Sequence, residues 1–388
     1  MSAYSGDQER DIRTTRLVHD WAKSGLISEQ QRDQMLPELH VDLRRTNKFL
    51  RATLFVFGLL ILQSVAGVLA LSVGASDEVV TGVLCGMVAA GSFWVANLLI
   101  TQYHLYRFGI EEAAALASVM LGGVAALLIA TIGTDRVNDA SMVIALVASA
   151  GISFVLFRRF GFVYGAVIAM ILVVAAAFIP GNSDLAHRVT AAVMLALFFA
   201  LARSARERHG LDFPGDNYAI IEAAAWIGLY LVINLQISEW LSSPDERDAF
   251  YWITYIFTWL MPAAGLWIAI HDRHRMLLDV NIVMAIVTLM TNKAYLGTPR
   301  QPYDPVAFGV LLIAVAIGVR RWLASGADGS RAGYIAERLL ESEKERLGVV
   351  GTLSVMHQGS VAEPATAPEP PAVGGGGLSG GAGASGKY

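Results

Sequence analysis

Apolar residues along this chain gather into long runs that are separated by short polar connections. Most runs between residues 52 and 322 are about 17–23 residues long, the length at which an α-helix crosses a hydrocarbon core of about 30 Å. The pattern predicts an all-α, polytopic membrane helix bundle with about ten transmembrane helices. Their predicted bounds are 52–74, 79–101, 113–132, 141–157, 161–180, 188–203, 218–238, 249–270, 276–292 and 305–321.

The polar residues 1–51 predict a small helical hairpin ahead of the first span. A first helix over 12–24 is expected to end at Gly25, because glycine readily adopts the left-handed conformation that closes many helices. A second helix is expected to begin at Ser28, since Gln31 three residues later completes a capping box. The hairpin carries acids as well as bases, so it lacks the basic face that DNA binding requires.

The polar C-terminal region predicts two further parts beyond a membrane domain of residues 52–322. Residues 323–359 are expected to hold a charged amphipathic helix, centred on 333–347. This helix would lie on the membrane surface or against the N-terminal hairpin, or would bind a partner. Residues 360–388 are rich in Ala, Pro and Gly and cannot bury enough apolar surface to fold, so they predict a disordered tail.

Basic residues concentrate in every second connection between the predicted spans. With the N-terminus placed in the cytoplasm, 14 Lys and Arg residues lie near the spans on the inside, in the short connections and beside the first and last spans, and 5 lie in the outside loops. Because Lys and Arg are retained on the cytoplasmic side, this bias predicts an N-in/C-in orientation with both termini cytoplasmic. The five outside residues are Arg136, Arg188, Arg247, Lys293 and Arg300.

Composition supports a membrane protein and excludes several other classes. Hydrophobic residues make up 55% of the chain and charged residues 16%, with a mean hydropathy of +0.51. The net charge of −4 indicates no nucleic-acid partner. The single cysteine, Cys85, excludes an intrachain disulfide and a cysteine-based metal site. The charged first fifty residues do not resemble a cleavable signal, so the first span is expected to serve as an uncleaved anchor.

The ninth predicted span carries a narrow polar stripe. Asn281, Ala285, Thr288 and Asn292 follow one another at steps of four, three and four, so they share one face of a helix. Two interpretations stay open at this point. The stripe either packs against other helices through hydrogen bonds or forms one wall of a polar cavity.

Ionisable residues inside spans are costly and therefore become candidates for function. Glu222 lies about one turn into the seventh span, and Asp279 lies at the same depth in the ninth, about 160° around the helix from Asn281. Lys293 lies at the outer end of the ninth span. Each either reaches the interface or forms a structural pair, or else takes part in a substrate or proton path.

Two further features are weighed as candidate sites. Pro262 and Gly265 interrupt the eighth span and predict either a proline kink or a helix break of the kind that forms binding sites in transporters. His271 and His274 have a spacing that metal sites use, but no third ligand lies near them in the sequence. We interpret these histidines as part of a basic connection and expect no metal site.

Two stretches resemble a family of uncharacterised bacterial multi-span membrane proteins whose N-terminal region is a domain of unknown function. The first is LVHDWAKSGLISEQQRDQML, with the pattern L-x3-W-x3-GLIS in Leu17, Trp21 and Gly25–Ser28. The second covers the last predicted hairpin, TNKAYLGTPRQPYDP followed by GVRRWLASG. The resemblance implies a location in the bacterial inner (cytoplasmic) membrane and carries no catalytic residues.

Three classes of function remain after this survey. The first is a non-catalytic scaffold, sensor or complex subunit, which fits the polar termini on one side and the lack of HExxH or Walker motifs. The second is a small-solute transporter laid out like drug/metabolite carriers, with a site between the seventh, eighth and ninth predicted transmembrane helices. No self-similarity between the first and last five spans supports it. The third is a membrane enzyme that acts on lipid. The expected partners are the lipid bilayer and a protein partner or second copy, and no cofactor is expected.

Overall fold

The computed structural model describes residues 3–4, 6–39, 43–72, 78–133, 136–179, 184–209, 217–237, 249–298, 301–326, 330–331 and 334–335. Within these ranges the chain forms twelve α-helices and one short two-stranded sheet. The helices are α1 (Gly6–Lys23), α2 (Glu29–Met35), α3 (Lys48–Ser72), α4 (Glu78–Thr101), α5 (Ile110–Ala130), α6 (Asp139–Phe160), α7 (Val163–Ala177), α8 (Asp184–His209), α9 (Asn217–Ile233), α10 (Ala249–His271), α11 (Arg275–Leu296) and α12 (Asp304–Ala324).

Ten of these helices correspond one to one with the predicted spans. Eight of them, α3–α6, α8 and α10–α12, are long and apolar enough to cross a bilayer. The remaining two, α7 and α9, are shorter apolar helices of 15 and 17 residues. The prediction of an all-α bundle of membrane-spanning type is therefore confirmed by helix length and composition.

Several helices extend beyond their predicted spans. The sequence assigns Arg188 to an outside loop, but it lies in the second turn of α8 and is only 5% exposed. At the other end, α8 continues through Arg203, Arg206 and Arg208. Hydropathy falls where charged residues begin, yet long basic side chains allow a helix to continue while their charged ends reach polar surroundings.

The N-terminal hairpin forms with the two end signals that the sequence predicts. Gly25 has φ of +73° and closes the turn after α1, a conformation that residues with a Cβ rarely adopt. The capping box at the start of α2 is present: the amide of Gln31 donates to the hydroxyl of Ser28 at 3.2 Å, and the amide of Ser28 donates to the side chain of Gln31 at 2.9 Å. α1 begins at Gly6, earlier than expected.

The N-terminal region packs on one end of the helix bundle. The amide of Ala3 donates to the carbonyl of Arg159 at the end of α6, at 2.7 Å. The hydroxyl of Tyr4 donates to the carbonyl of Leu105, between α4 and α5, at 3.2 Å. Ile12 of α1 is buried in the same apolar cluster as Tyr4. The connections α4–α5 and α6–α7 therefore lie at the end of the bundle that carries the N-terminal hairpin.

Two helices are central and one is peripheral. α5 packs against α3, α4 and α6, and α9 packs against α7, α8, α10 and α11. By contrast, α12 buries only Asp304 among its residues. Most of the surface of α12 is thus left for lipid or for another protein.

Helices α4–α7 and α8–α11 form two successive four-helix units with similar spacing. Corresponding helices begin 106 to 112 residues apart along the chain, and α6 and α10 begin 110 residues apart. A repeat in two halves of five spans does not match this period of four. An even period leaves the two units in the same orientation across a membrane, whereas the inverted carrier layout needs an odd one.

The short sheet corrects the start of the predicted C-terminal helix. Ser330–Arg331 (β1) pairs antiparallel with Tyr334–Ile335 (β2), so Tyr334 and Ile335, which were expected in the first turn of that helix, form a strand. The hydroxyl of Tyr334 donates to the carbonyl of Ala269 in α10 at 3.2 Å, which ties β2 to the bundle. The rest of the predicted amphipathic helix and the predicted disordered tail, residues 336–388, lie outside the described residues.

Candidate functional site

The polar stripe of α11 begins with a buried carboxamide. Asn281 has no exposed surface, its Oδ1 accepts a hydrogen bond from the indole Nε1 of Trp226 at 2.9 Å, and its Nδ2 donates to the carbonyl of Leu277 at 2.7 Å. Gly265 of α10 lies against this carboxamide, and a Cβ at that position would collide with it. Gly265 therefore makes room for Asn281.

The next stripe residue, Thr288, compensates for Pro262. The sequence leaves open a proline kink or a helix break at Pro262 and Gly265, and α10 continues as one α-helix through both residues. Proline lacks the N–H that would bond the carbonyl four residues earlier, here that of Thr258. The hydroxyl of Thr288 donates to this carbonyl at 3.0 Å. The hydroxyl of Tyr230 lies 2.8 Å from that of Thr288. Because Thr288 uses its own hydroxyl proton in the bond to Thr258, the hydroxyl of Tyr230 is the donor of this second bond.

The network continues along α9 towards the far end of the bundle. Asn234 has no exposed surface and its Nδ2 donates to the hydroxyl of Tyr230 at 3.0 Å. The hydroxyl of Tyr295 accepts from the amide of Leu235 at 2.7 Å, and its carbonyl accepts from the hydroxyl of Tyr251 at 2.8 Å. The first bond satisfies a backbone amide just after α9, and the second satisfies a carbonyl in the last turn of α11.

The last two predicted site residues of α11 lie nearer the surface. Asn292 is half-buried and its Oδ1 accepts from the hydroxyl of Tyr255 at 2.8 Å. The ammonium of Lys293 pairs with the carboxylate of Asp304 at 2.6 Å and lies 5.9 Å from the ring of Tyr303. Lys293 thus links α11 to the start of α12.

Glu222 belongs to a separate, charged cluster at the opposite end of the bundle from Lys293. It is fully buried, and its Oε2 lies 2.9 Å from Nε of Arg206 in α8 without hydrogen-bond alignment. Arg203, one turn earlier, pairs with Asp272 at 2.6 Å. The ion-pair partner of Glu222 is therefore on α8, and the stripe of α11 has other partners. Two arginines and two carboxylates instead join α8, α9 and the connection between α10 and α11.

A similar buried pair lies at the start of α5. Both oxygens of Glu112 accept hydrogen bonds from the guanidinium of Arg51 in α3, one of them at 2.7 Å. Glu112 is followed by three alanines, and so is Glu222, 110 residues later. The two central helices thus carry the same four residues within their first turns and pair these glutamates with arginines of other helices. Buried pairs of this kind are costly to break, because removal of one partner leaves an unpaired charge.

A cavity of about 480 Å³ opens between α8, α9 and α10. Its walls are almost wholly apolar, with Val193 from α8 and Leu229 from α9. Trp226 lines it as well, so the residue that bonds Asn281 also borders the cavity. The stripe residues Asn281, Thr288 and Asn292 are not among the residues that line it.

Sequence inspection missed the partners of the α11 stripe, although a signal for them is present. Glu222, Trp226, Tyr230 and Asn234 follow at steps of four along α9 and share one face of it. A second polar-aromatic stripe at helical spacing would have indicated the face that meets α11. The repeated Glu-Ala-Ala-Ala segment would have indicated the counterpart of Glu222.

The two histidines of the α10–α11 connection, His271 and His274, contact other protein groups. Nδ1 of His274 accepts from the amide of Leu277 at 3.1 Å and caps the start of α11. The ring of His271 stacks on Trp267. Within the described residues, no group of three or more His, Cys, Asp or Glu side chains is arranged to hold a metal ion.

Comparison with known proteins adds no relative to this picture. No family model, curated protein or solved structure matches the chain.

Proposed function

We propose that this chain is a non-catalytic, multi-pass component of the bacterial inner membrane that acts as a scaffold, a sensor or a subunit of a larger complex. One observation carries the proposal. The polar side chains of α9 and α11, which are the candidates for a reaction or a solute site, bind one another or the backbone of α10: Asn281 bonds Trp226, and Thr288 bonds Tyr230 and the carbonyl of Thr258. Their polarity serves helix packing, which is the usual role of such residues in membrane bundles.

We further propose that both termini lie in the cytoplasm. The bias of 14 basic residues against 5 supports this orientation. The contact of Ala3 with Arg159 supports it too, because it joins the N-terminus to a basic connection of the same proposed side. In a Cys85→Ser background, a cysteine at Ser76 is expected to react with an impermeant thiol reagent in intact cells. A cysteine at Ser76 that such a reagent cannot reach would overturn the orientation.

The N-terminal hairpin offers a surface for a protein partner. Leu17, Trp21 and Leu26 are 38%, 36% and 55% exposed, although α1 also buries Ile12 and Val18. Exposed apolar residues that lie close together on a polar segment often mark an interaction surface. The same three positions carry the resemblance to the uncharacterised membrane family, so we assign the hairpin the role of binding a partner.

Copurification tests the proposed function. The full chain, extracted in a mild detergent, is expected to retain a partner protein at stoichiometric ratio, and Trp21→Ala is expected to lose it without a change in melting temperature. Trp252→Ala is the matched control, because Trp252 is 41% exposed but lies on the apolar surface of α10. A protein that purifies alone, or a Trp21→Ala variant that keeps its partner as wild type does, would contradict the proposal.

A small-solute transporter is the second candidate, and the cavity between α8, α9 and α10 is the observation in its favour. The apolar walls fit a polar solute poorly, because a buried solute needs several placed polar groups. A thermal-shift screen with small solutes distinguishes the two readings. Stabilisation by a solute that Leu229→Trp abolishes would favour transport, because the larger side chain would fill part of the cavity.

A further inference from the structure

α12 has the place of the first helix in a third repeat unit. The units α4–α7 and α8–α11 follow one another directly, and α12 begins 120 residues after α8. In the first two units this helix packs mainly against the helix that follows it, α4 against α5 and α8 against α9. Within the described residues no further helix follows α12. The surface that α4 and α8 cover with a following helix is therefore open on α12.

The same positions of α4 and α8 are buried. They lie four, eleven and eighteen residues after the first residue of each helix. A Cβ on Gly82, the first of them in α4, would lie 3.1 Å from Leu128 of α5, and Leu195 of α8 lies against Gly228 of α9. These positions thus belong to the contact with the following helix. The buried residues are Gly82, Ala89 and Ala96 in α4 and Arg188, Leu195 and Ala202 in α8.

The matching positions of α12 are largely uncovered. They are Phe308, which is half-buried, and Val315 and Trp322, which are 53% and 46% exposed. Leu311 and Gly318 lie between them at steps of three and four, so the five residues share one side of the helix with heptad spacing. Leu311 is 44% exposed, and nothing lies within 4 Å of a Cβ on Gly318. We call these five residues the α12 seam.

A charge beside the α12 seam indicates what kind of helix would cover it. In the second unit, Glu222 near the start of the covering helix α9 lies 2.9 Å from Arg206 near the end of α8. Arg321 lies near the end of α12, is exposed, and flanks the seam at the g position of the heptad. Charges at this position select the partner of a paired helix, so Arg321 favours an acidic residue. It disfavours the α12 of a second copy, because the two Arg321 side chains of a parallel pair would repel one another.

We propose that the α12 seam binds one transmembrane helix of another membrane protein, which has small residues along its contact face and an acidic residue near its cytoplasmic end. This inference rests on the proposed role as a complex subunit and on the proposed orientation. The larger seam residues Leu311 and Val315 need small residues opposite them, as Leu195 of α8 has Gly228 of α9. α5 has this composition, with Glu112 near its start, so its sequence is a suitable probe.

A synthetic peptide with the sequence of α5, Ile110–Ala130, tests the apolar part of the contact. The full chain, in a Cys85→Ser background, carries a donor dye on a cysteine at Ser325. Energy transfer to an acceptor at the N-terminus of the peptide is measured in phosphatidylcholine vesicles, and binding should be saturable. Gly318→Trp should weaken binding about tenfold or more, because the new ring fills the seam. Ile313→Trp, on the opposite side of α12 and 62% exposed, is the matched control and should leave binding unchanged.

The charged part of the contact is tested in the same vesicles. Arg321→Gln should weaken binding up to about fivefold, the range of an exposed ion pair. A peptide with glutamine in place of Glu111 and Glu112 should bind this variant and the parent chain equally. Arg320→Gln is the matched control, because Arg320 lies on the opposite side of the helix from the seam. Equal effects of the two arginine variants would contradict an acidic partner.

Three further outcomes would overturn the proposal. The first is an absence of saturable peptide binding, and the second is equal binding by Gly318→Trp and Ile313→Trp. The third is a disulfide-linked dimer formed by Val315→Cys without peptide, which would place a second copy on the α12 seam. None of these outcomes changes the copurification test with Trp21→Ala, so the proposed function and the α12 seam can fail separately.

Discussion

The two central helices, α5 and α9, begin alike and then pack by different means. Both carry Glu-Ala-Ala-Ala near the start, at 112–115 and 222–225, with the glutamate paired to an arginine of another helix. α5 continues with small residues, and a Cβ at Gly122 or Gly123 would collide with side chains of α6. α9 continues with large residues, of which Trp226 and Tyr230 bond to α11.

The difference explains why the apparent functional residues cluster in the second unit. Small residues let helices approach closely and gain dispersion contacts, so the α5 region needs few hydrogen bonds. The residues of α9 that face α11 are larger, and hydrogen bonds between side chains connect these two helices. Asn281 and Thr288 are the α11 side of this arrangement. Polarity inside this bundle is therefore explained by packing before catalysis or transport is invoked.

The largest expected effect comes from filling the space that Gly265 leaves for Asn281. Gly265→Val should lower the free energy of unfolding by about 1–3 kcal/mol, because the new side chain displaces the carboxamide that bonds Trp226. Unfolding in a denaturing detergent titration measures the change. Gly91→Val is the matched control, since nothing lies within 4 Å of a Cβ at that position. Equal losses in the two variants would mean that the glycine has no special role.

A double-mutant cycle tests the compensation between Thr288 and Pro262. Thr288→Val should cost about 1 kcal/mol, because it leaves the carbonyl of Thr258 without a partner. In a Pro262→Ala background the helix supplies its own N–H, and at least half of this cost should disappear. Additive effects in the same unfolding titration would show that the two residues do not act on one carbonyl.

The hydroxyl of Tyr230 distinguishes the two central helices at matched positions. Tyr230→Phe removes the partner of Thr288 and Asn234 and should cost roughly 0.6–1.7 kcal/mol. Met120 lies 110 residues earlier on α5 and is 44% exposed, so Met120→Leu should change the unfolding free energy by less than about 0.5 kcal/mol. Comparable losses at both positions would remove the contrast drawn between α5 and α9.

The smallest expected effect concerns the N-terminal hairpin, which packs at the end of the bundle where α5 begins. Burial raises the pKa of Glu9 from 4.5 to about 7, while Arg107 lowers it slightly. Because the pKa of Glu9 is higher in the packed state, the contribution of Glu9 to the stability of that state is complete below about pH 4.5. The contribution is lost as the pH rises to about 7. A spin label at the exposed His19 should therefore become more mobile over that range. In Glu9→Gln this pH dependence should vanish, and its persistence would assign the effect to another group.

The local sequence pattern predicts the helices but does not predict which residues of different helices contact one another. The ten apolar runs predicted ten helices, and Ser28 with Gln31 predicted the start of α2, because length, hydropathy and caps act over short distances. The bond from Thr288 to Thr258 joins residues 30 positions apart, and Trp226 bonds a residue 55 positions away. Such pairs depend on which helix faces cross. The period of hydrophobic residues does not specify this.

The claim that the polar stripe is a dry packing face is tested most directly by water access at Thr288. In a Cys85→Ser background, Thr288→Cys is treated in native membranes with a small, water-soluble thiol reagent. We predict no reaction until the protein is unfolded, because Thr288 is 2% exposed and bonded to α10. Labelling in folded protein as fast as at a cysteine placed at Ser76 would reveal a hydrated cavity and contradict the account.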